Sequence, residues 1–158
     1  MSSVFTFQRR IEFCETDAAG IAHFSSLIIY MEQAEHALLR SVGLSVAASH
    51  LSASQSSVAK TGQAVAYSWP RVKVDCDFCL PGRFEDVISI ETTVGVLGKK
   101  SITYQHHLSI GSTTIATGKM TSVCCVREAG SLVSTPIPPS IRDLLLPFCG
   151  SADLAKHV

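Results

Sequence analysis

One segment of this chain has the periodicity of a helix and several have the periodicity of strands, and that imbalance restricts the fold more than any other feature. Leu27, Tyr30, Met31, Ala34, Leu38 and Val42 recur at three and four, with Glu32, Gln33, Glu35, His36 and Arg40 mostly on other faces. That spacing predicts a single long amphipathic helix. Ser25 or Ser26 is expected to cap its start, since a hydroxyl there can accept a free backbone N–H, and Gly43 can take the left-handed conformation that ends it. The first turn, Leu27-Ile28-Ile29, is apolar nearly all round, so that end should be enclosed by other structure.

The period-two segments lie on either side of the helix. Phe5, Phe7, Ile11 and Phe13 alternate with Thr6, Gln8, Arg10 and Glu12, the pattern of a half-buried strand. After Pro70 it returns in Val72, Val74, Cys76 and Phe78, then in Ile88, Ile90, Val94 and Val96, then in Ile102, Tyr104, Leu108 and Ile110. Gly98 falls in the second connection, and Gly111-Ser112 suits a two-residue hairpin with glycine first. A fourth run, Ile115 to Val126, completes an antiparallel meander. Val46 to Lys60 is rich in Ser and Ala and reads as a loop with at most one weak helical turn. Pro136, Pro138 and Pro139 are expected to end regular structure, and Ile141 to Phe148 to add a short helix.

A lone amphipathic helix must bury its stripe and a lone curved sheet must bury one face. The compact solution is an α+β fold with an antiparallel five-stranded sheet wrapped around one long central helix, the hot-dog arrangement, as a single domain over residues 1–158. One such layer leaves a strand edge uncovered, which predicts a homodimer, or a homotetramer built from dimers.

The 158 residues include 46% apolar and 16% charged ones, with 13 basic against 13 acidic. That balance gives no global field for nucleic acid or an anionic membrane, so any anionic ligand must be met by local charges. No apolar run approaches the roughly 18 to 20 residues that span a bilayer, and no basic stretch opens the chain before an apolar one. Cys14, Cys76, Cys79, Cys124, Cys125 and Cys149 are accordingly expected to be reduced thiols in a cytoplasmic protein.

Between the first strand and the helix lies Glu15-Thr16-Asp17-Ala18-Ala19-Gly20-Ile21-Ala22-His23-Phe24-Ser25-Ser26. A carboxylate among small residues just before a helix sits beside the free N–H groups of that helix's first turn. A thioester carbonyl aimed at those N–H groups would be polarised, and Asp17 could attack its carbon or take a proton from an attacking water. Spacing alone leaves a second reading open, in which Asp17 is only a turn or capping residue.

Ile11-Glu12-Phe13, then Thr16-Asp17-Ala18-Ala19-Gly20-Ile21, then His23-Phe24-Ser25 and the helix onset resemble the signature of the 4-hydroxybenzoyl-CoA thioesterase family. Trp69-Pro70-Arg71 through Arg83-Phe84-Glu85-Asp86 is similar in the same way, so the resemblance runs from about Phe5 to Val126. It implies a hydrolase that converts an acyl-CoA, with an aromatic or a short to medium acyl group, to free acid and CoA, without metal or other cofactor. It also implies that Asp17 is the catalytic carboxylate, that Gly20 lets the turn pass close to substrate, and that the Phe24 backbone N–H points at the thioester carbonyl. Family members often carry Asn near Ser26 and Tyr at Leu27, and a common subgroup has His where this chain has Phe24. His23 stands one place earlier and does not simply inherit that role.

His23 can orient a water or hydrogen-bond the acyl group; the plainer reading is a loop side chain satisfied by backbone. Glu32, Glu35 and His36 suggest a metal cluster, but a helix-surface pairing of Glu32 with His36 is favoured. His106 shares the apolar side of its strand with Tyr104 and Leu108, as an interior histidine would. Cys76 and Cys79 lack a second such pair, which argues against zinc, and no base accompanies any thiol. For the CoA phosphates the candidates are Lys99, Lys100, Arg71, Arg83 and Arg127. Two rival functions use the same fold: a hydratase or dehydratase on acyl thioesters, and a non-catalytic acyl-thioester binding module.

Overall fold

The computed structural model describes residues 3–46 and 66–150. Strand β1 (Phe5–Arg10) leads through a short 3-10 turn (Phe13–Glu15) into α1 (Phe24–Ser41), and β2 (Tyr67–Ser68), β3 (Arg71–Phe78), β4 (Val87–Leu97), β5 (Ser101–Ile110) and β6 (Thr113–Val123) follow. After them come β7 (Cys125–Glu128), β8 (Ser131–Ser134), α2 (Pro139–Leu145) and a 3-10 turn (Leu146–Phe148). The main sheet has five strands in the order β1-β4-β5-β6-β3, every pairing antiparallel. The expected α+β hot-dog architecture is therefore present.

Helix α1 buries Leu27, Tyr30, Met31, Ala34, Leu38 and Leu39 against the sheet. Around its first half they meet Ile11, Ile88, Ile90, Leu108, Ile115 and Met120; around its second half, Val94, Ile102, Tyr104, Ile137 and Leu145. Each such aliphatic side chain taken fully out of water contributes about 1.5–3 kcal/mol, which is why one helix suffices to organise the sheet. Gly43 ends the helix at φ +79 and Gly111 takes φ +57 in the β5–β6 turn, as the sequence anticipates.

The structure departs from the sequence reading at several points, each with a local cause. The helix begins at Phe24, and its cap is His23 rather than Ser25 or Ser26: the ring Nδ1 accepts the Ser25 N–H at 3.3 Å and meets the Ser25 hydroxyl at 2.7 Å. Strand β1 stops at Arg10, so Phe13 turns outward, 75% exposed, and packs edge-on against Phe84. A bulge between Val94 and Val96 reverses the alternation of β4, leaving Val96 exposed and burying Leu97. The run Ile115 to Val126 is not one strand, because β6 ends at Val123 and Cys125 starts a separate three-stranded sheet ordered β2-β7-β8. Pro139 opens α2 instead of ending regular structure, since the first turn of a helix needs no N–H from it. Most of the loop expected over Val46 to Lys60 lies outside the described residues.

Candidate functional site

The stretch between β1 and α1 folds as a tight hairpin. The Asp17 N–H donates to the Ile21 carbonyl at 2.9 Å, the Gly20 N–H to the Asp17 carbonyl at 2.9 Å, and Thr16 bridges to Ala22. Below them the His23 N–H donates to the Glu15 carbonyl at 2.8 Å. Gly20 takes φ +73, a left-handed conformation that a Cβ would strain although nothing lies within 4 Å of where one would be. Beyond the hairpin, the Ala22 N–H donates to the Gly82 carbonyl and Ile21 bridges to Arg83, which docks the turn on the β3–β4 connection.

This arrangement sets the Asp17 carboxylate in place. Its Oδ1 accepts the Ala19 N–H at 2.8 Å and the Ile21 N–H at 3.4 Å, while Oδ2 has no partner among the described residues. Asp17, Ile21, Ala22, Phe24 and Leu27 face Phe78, Cys79, Leu80, Pro81 and Gly82 across a cavity of about 320 Å³. At the helix start, the Ser25 N–H is taken by His23 Nδ1 and the Ser26 N–H by the His23 carbonyl. The Phe24 N–H is left without a partner among the described residues, at the end of the helix where backbone dipoles attract negative charge. Asp17 and Phe24, the two residues singled out for chemistry, thus line one cavity whose other walls are almost wholly apolar.

The other sequence candidates are placed elsewhere. The His23 ring caps the helix, stacks at 4.4 Å on the Phe24 ring, and is not among the residues lining the cavity. Arg83 is exposed beside the site, through its bridge to Ile21. Lys99 and Lys100 lie past the far end of β4, on the order of 30 Å from Ile88 by strand rise. There Lys100 Nζ donates to the Ser134 carbonyl and hydroxyl, and Arg127 donates to the Gly130 carbonyl. Arg71 turns inward instead of outward: its guanidinium bonds Glu35 Oε2 at 2.6 Å and Ser122 Oγ at 3.0 Å, with Glu32 at 3.5 Å. The helix-surface reading of this acidic group is therefore corrected for Glu35, which is 1% exposed and sits beneath the sheet. Burial pushes the Glu35 carboxyl up, with Arg71 opposing it.

His106 is the interior histidine that the strand pattern suggests, 3% exposed, with Nδ1 at 3.0 Å from Thr92 Oγ1. Burial pushes its pKa down to about 4, so it is neutral at pH 7. Burial first, then Asp77 and Asp75, push the Cys76 thiol up to about 11, which makes it a poor nucleophile at neutral pH. Among the described residues no group of three His, Cys, Asp or Glu side chains is arranged to hold a metal ion.

Sequence reasoning missed the network around Glu15. Tyr30, fully buried on α1, donates its hydroxyl to Glu15 Oε2 at 2.5 Å, Arg9 of β1 pairs with Oε1, and the Glu12 N–H donates to Oε2 at 2.8 Å. Burial raises the Glu15 pKa, but the Tyr30, Glu12 and Arg9 contacts outweigh it and hold the carboxyl below its ordinary value. Burial first, and then the bond to Glu15, push the Tyr30 phenol well up. The one signal in the sequence was a tyrosine on the apolar stripe of a helix, where its hydroxyl must find a partner.

The model of the Thioesterase superfamily matches residues 19–117, which take in Gly20, Phe24, α1 and most of the sheet. The chain belongs to that family. Asp17 stands two residues before the matched span of this superfamily member. A 1,4-dihydroxy-2-naphthoyl-CoA hydrolase of Synechococcus elongatus is 26% identical over 141 residues, covering 89% of this chain and 94% of the relative. The solved structure of a gentisyl-coenzyme A thioesterase is 27% identical with a TM-score of 0.69, over 89% of this chain and 98% of that one. A 4-hydroxybenzoyl-CoA thioesterase variant, solved with 4-hydroxybenzoyl-CoA, superposes with a TM-score of 0.76 at 19% identity, over 90% of this chain and 98% of that one. At that identity the likeness speaks for the fold.

Proposed function

We propose that this thioesterase-superfamily chain hydrolyses an acyl-CoA thioester to a carboxylic acid and free CoA. The observation that carries the proposal is the shared cavity of about 320 Å³, lined by both the Asp17 carboxylate and Phe24, whose N–H has no partner among the described residues. With the thioester oxygen on the Phe24 N–H, negative charge developing there meets the positive end of α1. Oδ2 of Asp17, without a partner among the described residues, can accept a proton from a water attacking the carbonyl carbon, or attack that carbon itself and form an anhydride that water then opens. In the first course the C–S bond breaks and Asp17 returns its proton to the departing CoA sulfur; in the second the C–S bond breaks as the anhydride forms, and the CoA thiolate takes a proton from solvent. The aliphatic and aromatic walls from Ile21, Leu27, Phe78 and Leu80 suit an apolar acyl group, aromatic or short to medium aliphatic. Arg83, exposed beside the site, is a cation that can meet a CoA phosphate.

The unit that performs this chemistry is a dimer. β3 is an outer strand whose ladder partner among the described residues is β6, and the face it turns toward α1 exposes Val74 and Phe78, with the Phe24 ring 6.4 Å from that of Phe78. An unpaired strand edge beside an apolar row fits a second copy of the same strand, which would extend the sheet and cover the cavity.

The test is thiol release from a panel of acyl-CoAs by the parent and by Asp17→Asn. The variant should keep the fold and lose a factor on the order of a hundred or more in turnover, as loss of a nucleophile or base does. Turnover by Asp17→Asn within a few fold of the parent overturns the assignment, and a parent that binds acyl-CoAs without releasing thiol is a binding module.

A further inference from the structure

Glu15 occupies a junction whose parts come from three elements. Its side chain is tied to β1 through Arg9 and to the middle of α1 through the buried Tyr30 hydroxyl, and the Arg9 guanidinium also lies 5.1 Å from the centre of the Tyr30 ring. Its backbone carbonyl accepts the His23 N–H at 2.8 Å and the Ser26 hydroxyl at 3.1 Å. The hairpin that carries the chemistry is closed at its base by this one residue: Glu15 faces His23, Thr16 bridges Ala22, and Asp17 faces Ile21. Asp17 lies two residues along one arm from that base, and Phe24 is the next residue beyond it on the other.

From this geometry we propose that Glu15 is a positioning residue for the thioesterase reaction: it fixes the offset between the Asp17 carboxylate and the Phe24 N–H. The role rests on the functional reading above and acts through those two groups. A carboxylate inserted between a buried tyrosine and an arginine has a single favourable placement, because both of its oxygens are bonded in different directions. The backbone at residue 15 is then held against the first turn of α1, and Asp17 cannot slide relative to Phe24. Without the side-chain anchor the hairpin would still close through its own backbone bonds, but its base would be free to shift. A misplacement of about 1 Å in such a pair lowers the rate on the order of a hundredfold. The thioester itself would still be bound by the apolar cavity walls.

The test compares the parent with Asp17→Asn, Glu15→Gln, Glu15→Ala and Tyr30→Phe by steady-state thiol release, at a temperature where melting curves show every variant folded. Glu15→Ala should lose about 30- to 100-fold in kcat with KM within about twofold of the parent, the split expected when placement rather than binding fails. Glu15→Gln, which can still accept the Tyr30 hydroxyl, should fall between the two. Tyr30→Phe should lower kcat in the same direction, and adding it to Glu15→Ala should lower kcat no further. If Glu15→Ala does not fold, Tyr30→Phe and Glu15→Gln decide alone. A folded Glu15→Ala or Tyr30→Phe with the parent's kcat, or a loss carried wholly by KM, overturns the positioning role while Asp17→Asn remains inactive. If the parent releases no thiol, or Asp17→Asn matches the parent, the functional reading fails and takes this role with it.

Discussion

Replacing Arg71 with methionine removes the cation from Glu35 and keeps a side chain of similar length. Glu35 is 1% exposed and its Oε2 lies 2.6 Å from the Arg71 guanidinium, which also bonds Ser122 Oγ at 3.0 Å. Breaking a buried pair from one side leaves an uncompensated charge and costs about 3–5 kcal/mol, far more than an exposed pair would. For a domain of this length that corresponds to a fall of about 6–20 °C in melting temperature. Burial already raises the Glu35 carboxyl against the pull of Arg71, and without Arg71 it rises further. A carboxyl raised in the folded state favours folding at low pH, so the deficit of Arg71→Met should be greatest near pH 7. It should shrink as the pH falls through the raised value toward the unfolded carboxylate range. Glu35→Gln combined with Arg71→Met should recover most of the loss, because no charge is then left buried. The assay is urea denaturation of the parent, both single variants and the double variant at one protomer concentration, at pH 5 and pH 7. Arg71→Met within about 1 kcal/mol of the parent, or a double variant no better than Arg71→Met, would refute the reasoning.

The remaining predictions concern other elements. His106, held neutral by burial with a pKa of about 4 against an ordinary 6.5, should make the folded state less stable as pH falls from 6.5 toward 4, by up to about 1.4 kcal/mol per unit and about 3 kcal/mol in all. His106→Asn, whose amide can still meet Thr92, should flatten that part of the stability-against-pH curve relative to the parent in parallel denaturations; identical curves would remove the histidine as the cause. Phe78→Glu places a charge on the exposed inner face of β3, and sedimentation should show the proposed dimer dissociating; a monomeric parent would refute the dimer outright.

The fold was legible in this sequence because its two periods are unambiguous and their order admits few compact solutions. The stripe Leu27, Tyr30, Met31, Ala34 and Leu38 and the alternation in β4 to β6 each report on burial directly, since a helix or strand with one apolar face has one way to turn it. The turn that carries Asp17 and Gly20 ahead of the helix was legible as well, because it depends on local backbone, whereas the roles given to Asp17, Gly20 and Phe24 come from the family resemblance and stand as part of the proposal. Departures had two causes: a local one, as at the His23 cap and the β4 bulge, and a distant one, where a side chain's role depends on what another segment places beside it, as for Glu35 and Arg71. Val96 was misread because a single-residue bulge at Gly95 reverses the pattern without any change in composition.

What the sequence determined alone, then, was the helix, the strand succession and the turn between β1 and α1, all properties of near neighbours in the chain. Tertiary structure decided the pairing of charges. Glu35 and Arg71 are separated by 36 residues and meet only because β3 passes beside α1, and Tyr30 reaches Glu15 only because the helix folds back across the loop that precedes it. A buried charge is tolerated only with a partner in contact, and whether one is in contact is a fact about three-dimensional distance that no residue spacing encodes.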